Sequence, residues 1–300
     1  MKIIITGSSG FVGQNLSFYL QSHGYSVEGI SLRFSKWVDK FNEPLDGIIH
    51  LAGKAHDTSN TSKPEEYFII NRDLTIHLFQ RFIKSNAKDF FYFSSVKAAA
   101  DTVDGILFED IPANPLTPYG KSKLEAEQYF MSQYLPQGKR LFIIRPCMIH
   151  GPGNKGNLNL LYNIVKKGIP WPLGAFENKR SFLSINNLNF LIGEILKNSN
   201  VQSGIYNFAD NGTISTNNLV QLISNSLSKK SNIWNINKTL IESVAKIGDK
   251  LPLPLNTERL KKLTESYIVS NQKIMNELKI SKLPMTLEAG LIQTIKSFNS

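Results

Sequence analysis

The sequence predicts an α/β fold built on a doubly wound parallel sheet, and three observations carry that prediction. The chain opens with the β-branched run Lys2-Ile-Ile-Ile-Thr6, which passes straight into a glycine-rich turn and then a helical pattern. Short apolar segments alternate with amphipathic stretches along the first two thirds of the chain, the order expected of βα units. Further on, Tyr119 and Lys123 stand four residues apart at the start of a helical stretch, so they share one helix face.

Length and composition set the bounds. Three hundred residues suit one large domain or two coupled lobes, and 41% hydrophobic with 19% charged residues is ordinary for a globular chain. No apolar run approaches a membrane span, and the N-terminal apolar run is too short for a signal peptide. Cys147 is the single cysteine, which excludes an intramolecular disulfide and any multi-cysteine metal site. No metal is expected, and the default compartment is the cytoplasm. The net charge of +10 is uneven, with twelve Lys/Arg against six Asp/Glu from Asn225 onward. A basic surface fits nucleic acid, anionic lipid or an anionic small substrate; no nucleic-acid motif appears, so a polynucleotide partner is not expected.

Taken in order, the first strand leads to Gly7-Ser-Ser-Gly10-Phe-Val-Gly13. Glycines between a first strand and a first helix let backbone approach a pyrophosphate at the helix N-terminus, as in a Rossmann sheet. The spacing is G-x-x-G-x-x-G. A second strand, Ser26 to Ile30, ends at Ser31-Leu32-Arg33, with no acid before Asp39. A carboxylate there would bind the ribose of NAD, whereas an arginine accommodates the 2′-phosphate of NADP. Arg33 reads either as solvated surface or as that phosphate ligand, and the missing acid favours NADP(H), with NAD(H) the alternative.

Asp46 to Gly53 reads as a third strand ending in small residues, with His50 a satisfied polar group at its end and Lys54 and His56 weak substrate candidates. A helix is expected from about Pro64 to Ser85, containing Asn71. The strand Phe90 to Phe93 ends in Ser94-Ser95; Ser95 reads either as a cap or as a group binding the oxygen that Tyr119 protonates. A proline-rich connection leads to the Tyr119 helix, then a strand, Leu141 to Arg145, exits through Pro146 to Gly153. Gly204 to Ala209 is the last expected strand, followed by a helical, basic region with Pro252 and Pro254 in a loop. Within it, Ile236 to Ile247 is amphipathic enough for an interfacial helix, although packing on its own lobe is the simpler reading.

A lone Tyr-x-x-x-Lys occurs by chance on many helices. Together, however, Thr6-Gly7-x-x-Gly10-Phe11-x-Gly13, His50-Leu-Ala, Asn71, Ser94-Ser95, Tyr119-x-x-x-Lys123, Arg145-Pro146 through Gly151-Pro-Gly, Arg180-Ser and Gly204-x-Tyr206-Asn resemble the extended short-chain dehydrogenase/reductases, the NAD-dependent epimerase/dehydratase group. The resemblance spans most of the chain. Gly156-Asn157, Gly168 to Gly174 and Asn178 to Ser181 look like UDP-4-keto-6-deoxy-N-acetylhexosamine 4-reductases of surface-polysaccharide synthesis, with UDP-sugar 4-epimerases close by.

The resemblance implies two lobes and a role for each matched residue. A cofactor-binding Rossmann lobe would comprise 1–155 plus roughly 184–212, and a smaller C-terminal lobe, roughly 156–183 and 213–300, would close over a UDP-sugar. Tyr119 would be the general acid/base, Lys123 would lower its pKa and bind the nicotinamide ribose, and Ser95 would bond the C4 oxygen. Gly7, Gly10, Phe11, Val12 and Gly13 would line the pyrophosphate, with Ser31 and Arg33 at the adenosine ribose. Leu51, Ala52 and Gly53 would flank the cofactor, with Asn71 bracing them and Pro146 on the same side. Arg180 would pair with the UDP phosphates, and Asn157 is a weaker substrate candidate. Ser31 departs from the aspartate of NAD-using epimerases, Lys97 to Ala100 from the usual aromatic-glycine run, and Asn186-Asn187 from a common aspartate pair. The activity implied is NADPH-dependent reduction of a 4-keto sugar; a UDP-sugar 4-epimerase and a non-catalytic or peripherally membrane-associated NADP-binding module are the rivals. Related enzymes often form homodimers.

Overall fold

The computed structural model describes residues 1–33, 35–54, 63–154, 156–251 and 255–298. In chain order the strands are β1 (Lys2–Thr6), β2 (Ser26–Ile30), β3 (Gly47–His50), β4 (Asp89–Phe93), β5 (Ile106–Leu107), β6 (Arg140–Pro146), β7 (Met148–His150), β8 (Phe182–Ser184), β9 (Gly204–Phe208) and β10 (Ile268–Val269). Six of them form a parallel sheet in the order β2-β1-β3-β4-β6-β9; β5 pairs with β10 and β7 with β8. The helices are α1 (Phe11–Ser22), α2 (Pro64–Tyr67), α3 (Leu74–Lys84), α4 (Pro118–Ser132), α5 (Asn157–Lys166), α6 (Ile185–Lys197), α7 (Thr216–Ser226), α8 (Lys238–Gly248), α9 (Thr257–Thr264), α10 (Gln272–Glu277) and α11 (Leu287–Ser297). This is the doubly wound Rossmann sheet that the sequence predicts.

Side-chain alternation along each strand explains the two covered faces. Ile3 and Ile5 point into one cluster with Leu16 and Leu20 of α1 and Leu188, Leu191 and Ile195 of α6. Ile4 points into the other, with Leu78, Phe79 and Phe82 of α3 and Ala126 and Phe130 of α4. Phe130 seats α4 on the sheet: its ring lies 4.4 Å from Phe79 and 5.1 Å from Tyr92, centre to centre. Between β2 and β3 the chain forms a 3₁₀ turn (Ser35–Asn42) that packs on α3, where a 3-2-1-4-5-6 sheet would have a further strand. Trp37, Phe41 and Leu45 are buried there, so the segment closes the second cluster.

A third cluster lies apart from the sheet, built from Leu158, Tyr162, Trp171, Ile223, Ile241, Ala245, Leu260, Leu291 and Ile295. Residues 268–283 do not join it. Val269, Ile274, Met275 and Leu283 return to the α1/α6 side of the sheet, so the chain crosses back before α11. The helical run expected between Pro64 and Ser85 is present, but it is interrupted by a π turn (Phe68–Asp73) between α2 and α3. Asn71 lies in that turn and is fully buried. The strand order reverses between β2-β1 and β3, which opens a crevice at the C-terminal ends of β1 and β3.

Candidate active site

The crevice is lined by two loops that touch. Gly7, the first residue after β1, has φ +70°, and a Cβ on it would lie 2.8 Å from the Ala52 nitrogen after β3. Only glycine combines that conformation with that proximity. A Cβ on Gly13 would lie 2.3 Å from the Gly7 oxygen, so α1 starts tight against the turn, and the Gly10 N–H donates to the Gly7 carbonyl at 3.0 Å. Phe11 and Val12 are half-buried in the first turn of α1. Glycine at 7 and 13 lets the turn pack backbone to backbone against the loop after β3 and the start of α1, the close strand–helix packing that a dinucleotide-binding turn needs. Gly29 in β2, which no sequence motif marks, belongs here too, because a Cβ there would meet the Ser8 hydroxyl at 2.3 Å.

The wall after β3 is braced from behind. Asn71 Oδ1 accepts from the Lys54 N–H at 2.7 Å, and its Nδ2 donates to the Lys54 carbonyl at 3.0 Å. A Cβ on Gly53 would lie 2.9 Å from Asn71 Oδ1 and 3.3 Å from Lys123 Nζ, so Leu51-Ala52-Gly53, Asn71 and Lys123 converge. His50 is a satisfied core group: Nδ1 lies 2.6 Å from Thr6 Oγ1 and Nε2 2.8 Å from Thr75 Oγ1. Burial, aided by the Lys123 charge, lowers its pKa to about 3, which keeps it neutral. Lys54 pairs with Glu66 at 2.6 Å, and His56 lies outside the described residues.

Helix α4 delivers the remaining groups. Thr117 caps it by accepting from the Gly120 N–H at 3.2 Å, and Pro118 fits its first turn. A Cβ on Gly120 would lie 2.4 Å from the Lys97 carbonyl, so the missing side chain lets α4 press against the loop after β4. Across that contact the Ser95 hydroxyl acts on the Tyr119 phenol, favouring its ionised form against the larger effect of burial. Ser95 also caps the short 3₁₀ turn (Val96–Ala98), accepting from the Lys97 N–H at 3.2 Å, so it is both the cap and the partner of Tyr119.

Lys123 is buried. Its Nζ donates to the Phe93 carbonyl at 2.8 Å and lies 4.9 Å from the centre of the Tyr92 ring. Burial lowers its pKa to about 8, against the opposing pull of Glu127. Tyr119 differs from expectation. Its pKa is raised by burial, with Ser95 pulling the other way, while the Lys123 ammonium donates to the Phe93 carbonyl. One turn on, Glu127 accepts from Arg145 Nε at 3.1 Å and from the Ser94 hydroxyl, tying α4 to β4 and β6 inside the core. The i, i+4 ladder Tyr119, Lys123, Glu127 is visible in the sequence, but only its first two rungs carry a functional motif there.

The other side of the mouth comes from beyond β9. Arg180 Nε donates to the Glu265 carbonyl at 3.2 Å, and Nη2 donates to the Lys262 carbonyl, so the C-terminal end of α9 holds it. The Tyr267 hydroxyl donates to the Ala100 carbonyl at 2.7 Å, clamping the Ser95 loop, and Lys97 Nζ lies 4.4 Å from the Tyr267 ring centre. Burial lowers the pKa of Lys97 against the opposing pull of Asp101 and Glu265, with Arg180 and Lys262 adding to the lowering. Sequence reasoning misses Tyr267, since no motif distinguishes it. Ser31 and Arg33 are exposed at the end of β2, Asn157 is exposed at the start of α5, and Pro146 is buried at the end of β6. A groove of about 610 Å³ along β9, lined by Glu109, Met131 and Lys273 among others, contains none of these groups.

The family model for the NAD dependent epimerase/dehydratase family matches residues 3–209. The chain belongs to that family. It is 30% identical to the UDP-glucose 4-epimerase of Vibrio cholerae over 330 residues, covering 99% of this chain and 95% of the relative. It is also 30% identical to the UDP-2-acetamido-2,6-beta-L-arabino-hexul-4-ose reductase of Pseudomonas aeruginosa over 164 residues, 53% of this chain and 38% of that one. The solved structure of MoeE5 in complex with UDP-glucuronic acid and NAD has the same fold, with a TM-score of 0.78 at 18% identity, covering 100% of this chain and 99% of that one. This member of the epimerase/dehydratase family is therefore an enzyme of nicotinamide-dependent nucleotide-sugar chemistry. No helix among the described residues is long and apolar enough to cross a membrane.

Proposed function

We propose that the protein reduces C4 of a UDP-linked 4-keto-6-deoxy-N-acetylhexosamine with NADPH. The observation that carries the reading is the convergence of Tyr119 and buried Lys123 of α4 on the Ser95 loop, pressed together at Gly120, with burial holding the phenol protonated. Gly7, Gly10, Phe11, Val12 and Gly13 would hold the cofactor diphosphate, Leu51 to Gly53 and Pro146 its nicotinamide half, and Lys123 the ribose. The exposed Ser31 and Arg33, with no carboxylate between them, leave room for a 2′-phosphate. When bound, the nicotinamide supplies the hydride equivalent.

Tyr119 gives its Oη proton to the oxygen forming at C4, and the Ser95 hydroxyl donates to the same oxygen and keeps it oriented. Burial keeps the phenol protonated in the resting site, so its proton is in place for the oxygen that forms at C4. Arg180 would meet the UDP diphosphate. On this reading the sheet lobe, residues 1–155 with roughly 184–212, holds the cofactor, and the third cluster forms the core of the sugar-binding lobe. A second reading, a UDP-sugar 4-epimerase that retains NAD, is favoured by the Vibrio cholerae relative, which is matched almost end to end. Purified enzyme separates them. A reductase oxidises NADPH only when given a UDP-4-keto sugar, and conversion of UDP-glucose without added cofactor would reject it for the epimerase.

A further inference from the structure

Helix α8 is apolar on two adjacent faces, and only one is used by its own lobe. Ile241, Ala245 and Gly248 are buried toward the third cluster. Leu240, Val244, Ile247 and Leu251 are 58%, 39%, 52% and 55% exposed. Their spacing places them in one stripe about 60° wide, and the Leu251 N–H donates to the Ile247 carbonyl at 3.1 Å, extending the helical turn to the end of the stripe. Exposed aliphatic residues are ordinary singly; a row of them marks a contact surface. Trp234, just before α8, is 52% exposed, whereas Trp37 and Trp171 are buried.

The charge around the stripe says what it contacts. Between positions 229 and 263 there are eight Lys/Arg and three Asp/Glu. Lys246 and Lys250 on and just after α8, and Lys261 on α9, which packs against it, are exposed; Lys238 lies over the Phe176 ring and Lys262 pairs with Glu258 at 2.6 Å. Glu242 and Asp249 are the acids of α8 and its end, and Asp249 is occupied by the Thr257 N–H and hydroxyl. A second copy of the chain would set like charges against one another, whereas a surface of anionic headgroups complements them. An apolar stripe with lysines beside it and a tryptophan at its start has the make-up of an in-plane interfacial helix.

We propose that α8, with Trp234 and the lysines of α9, docks the enzyme on the surface of an anionic phospholipid bilayer. Such docking would serve a reductase and an epimerase alike. The end of α9, the helix packed on α8, also holds Arg180 through the Lys262 and Glu265 carbonyls, so the sugar-side wall of the cleft would lie next to the bilayer.

Flotation of the full-length protein tests it, using phosphatidylcholine vesicles with about one third phosphatidylglycerol against pure phosphatidylcholine. The protein should float with the anionic vesicles, and the bound fraction should fall about tenfold on pure phosphatidylcholine or in about 0.5 M salt. Leu240→Asp/Ile247→Asp should lower binding about tenfold with turnover and elution volume unchanged, and Lys246→Glu/Lys250→Glu should abolish the preference for anionic vesicles. No flotation on anionic vesicles, or flotation insensitive to both double variants, overturns the proposal. So does a shift of the Leu240→Asp/Ile247→Asp protein to a smaller species, which would give the stripe to a second copy.

Discussion

Two corners of the cleft each hold a lysine over a tyrosine ring, bonded to a main-chain carbonyl, one buried and one half-buried. Lys123 sits on Tyr92 and donates to the Phe93 carbonyl; Lys97 sits on Tyr267 and donates to the Asp101 carbonyl at 2.7 Å. Burial lowers the pKa of both. The corners differ in what balances the charge. Beside Lys123, Glu127 is tied to Arg145 in a buried, hydrogen-bonded set that also holds Ser94. Beside Lys97 the carboxylates of Asp101 and Glu265 oppose the cations Arg180 and Lys262, but among the described residues neither Lys97 nor Arg180 has a carboxylate within ion-pair distance. The first corner is closed electrostatically and fixes geometry. The second holds Lys97 and Arg180 on main-chain carbonyls with no carboxylate paired to either, an arrangement that could receive an anion.

The contrast between the corners is sharpest at the phenol. Tyr119→Phe should lower turnover about 10³-fold, roughly 4 kcal/mol in the barrier, while the cofactor dissociation constant stays within about twofold. Stopped-flow turnover with a cofactor titration checks both halves; a rate within about tenfold of wild type would remove Tyr119 from the chemistry. Next comes the closed network. Glu127→Gln leaves Arg145 charged and buried without its counter-ion, and urea unfolding should show a loss of about 3–5 kcal/mol. A loss under about 1 kcal/mol would mean that α4 is held by Phe130 and its neighbours alone.

The lowered pKa of Lys123 sets a pH window. The unfolded lysine titrates near 10.5 and the folded one at about 8, so between those values the unfolded chain binds more protons. Stability should therefore carry a penalty of about 3 kcal/mol below pH 8 that is relieved as pH rises toward 10.5. Lys123→Met should lack this rise. Unfolding free energies of both proteins at matched pH values check it, and parallel pH profiles would contradict it.

Much of the fold is legible in the sequence because strand alternation and glycine turns are local signals. β1, β2 and the Gly7–Gly13 turn follow from residues adjacent in sequence, and so does the Tyr119–Lys123 face of α4. The features that escape it depend on contacts between distant segments. Gly29 is explained only by Ser8 and Gly120 only by the Lys97 carbonyl, while the Tyr267 hydroxyl acts on a loop 167 residues away. The π turn that buries Asn71 is hidden because its sequence, Phe68-Ile-Ile-Asn-Arg-Asp73, reads equally well as α-helix. Local pattern likewise suggests that Lys123 depresses the phenol, but the pull of the Phe93 carbonyl is set by strand β4.

The smallest expected effect discriminates best between the two corners. Lys97→Met keeps most of the side-chain volume over Tyr267 and removes a cation that burial already disfavours. Folding stability should hold or rise by about 1 kcal/mol, the opposite sign to the loss at Glu127. The substrate side should weaken. With one of the cations facing the mouth gone, KM for the nucleotide sugar should rise about fivefold, with kcat and cofactor affinity unchanged. Arg180 remains to hold the anion, which is why the effect stays near about 1 kcal/mol. Thermal melts beside steady-state kinetics give both numbers from one preparation. Should Lys97→Met lose stability and leave KM alone, the second corner would be a structural ion cluster like the first, and the anion would have to bind elsewhere.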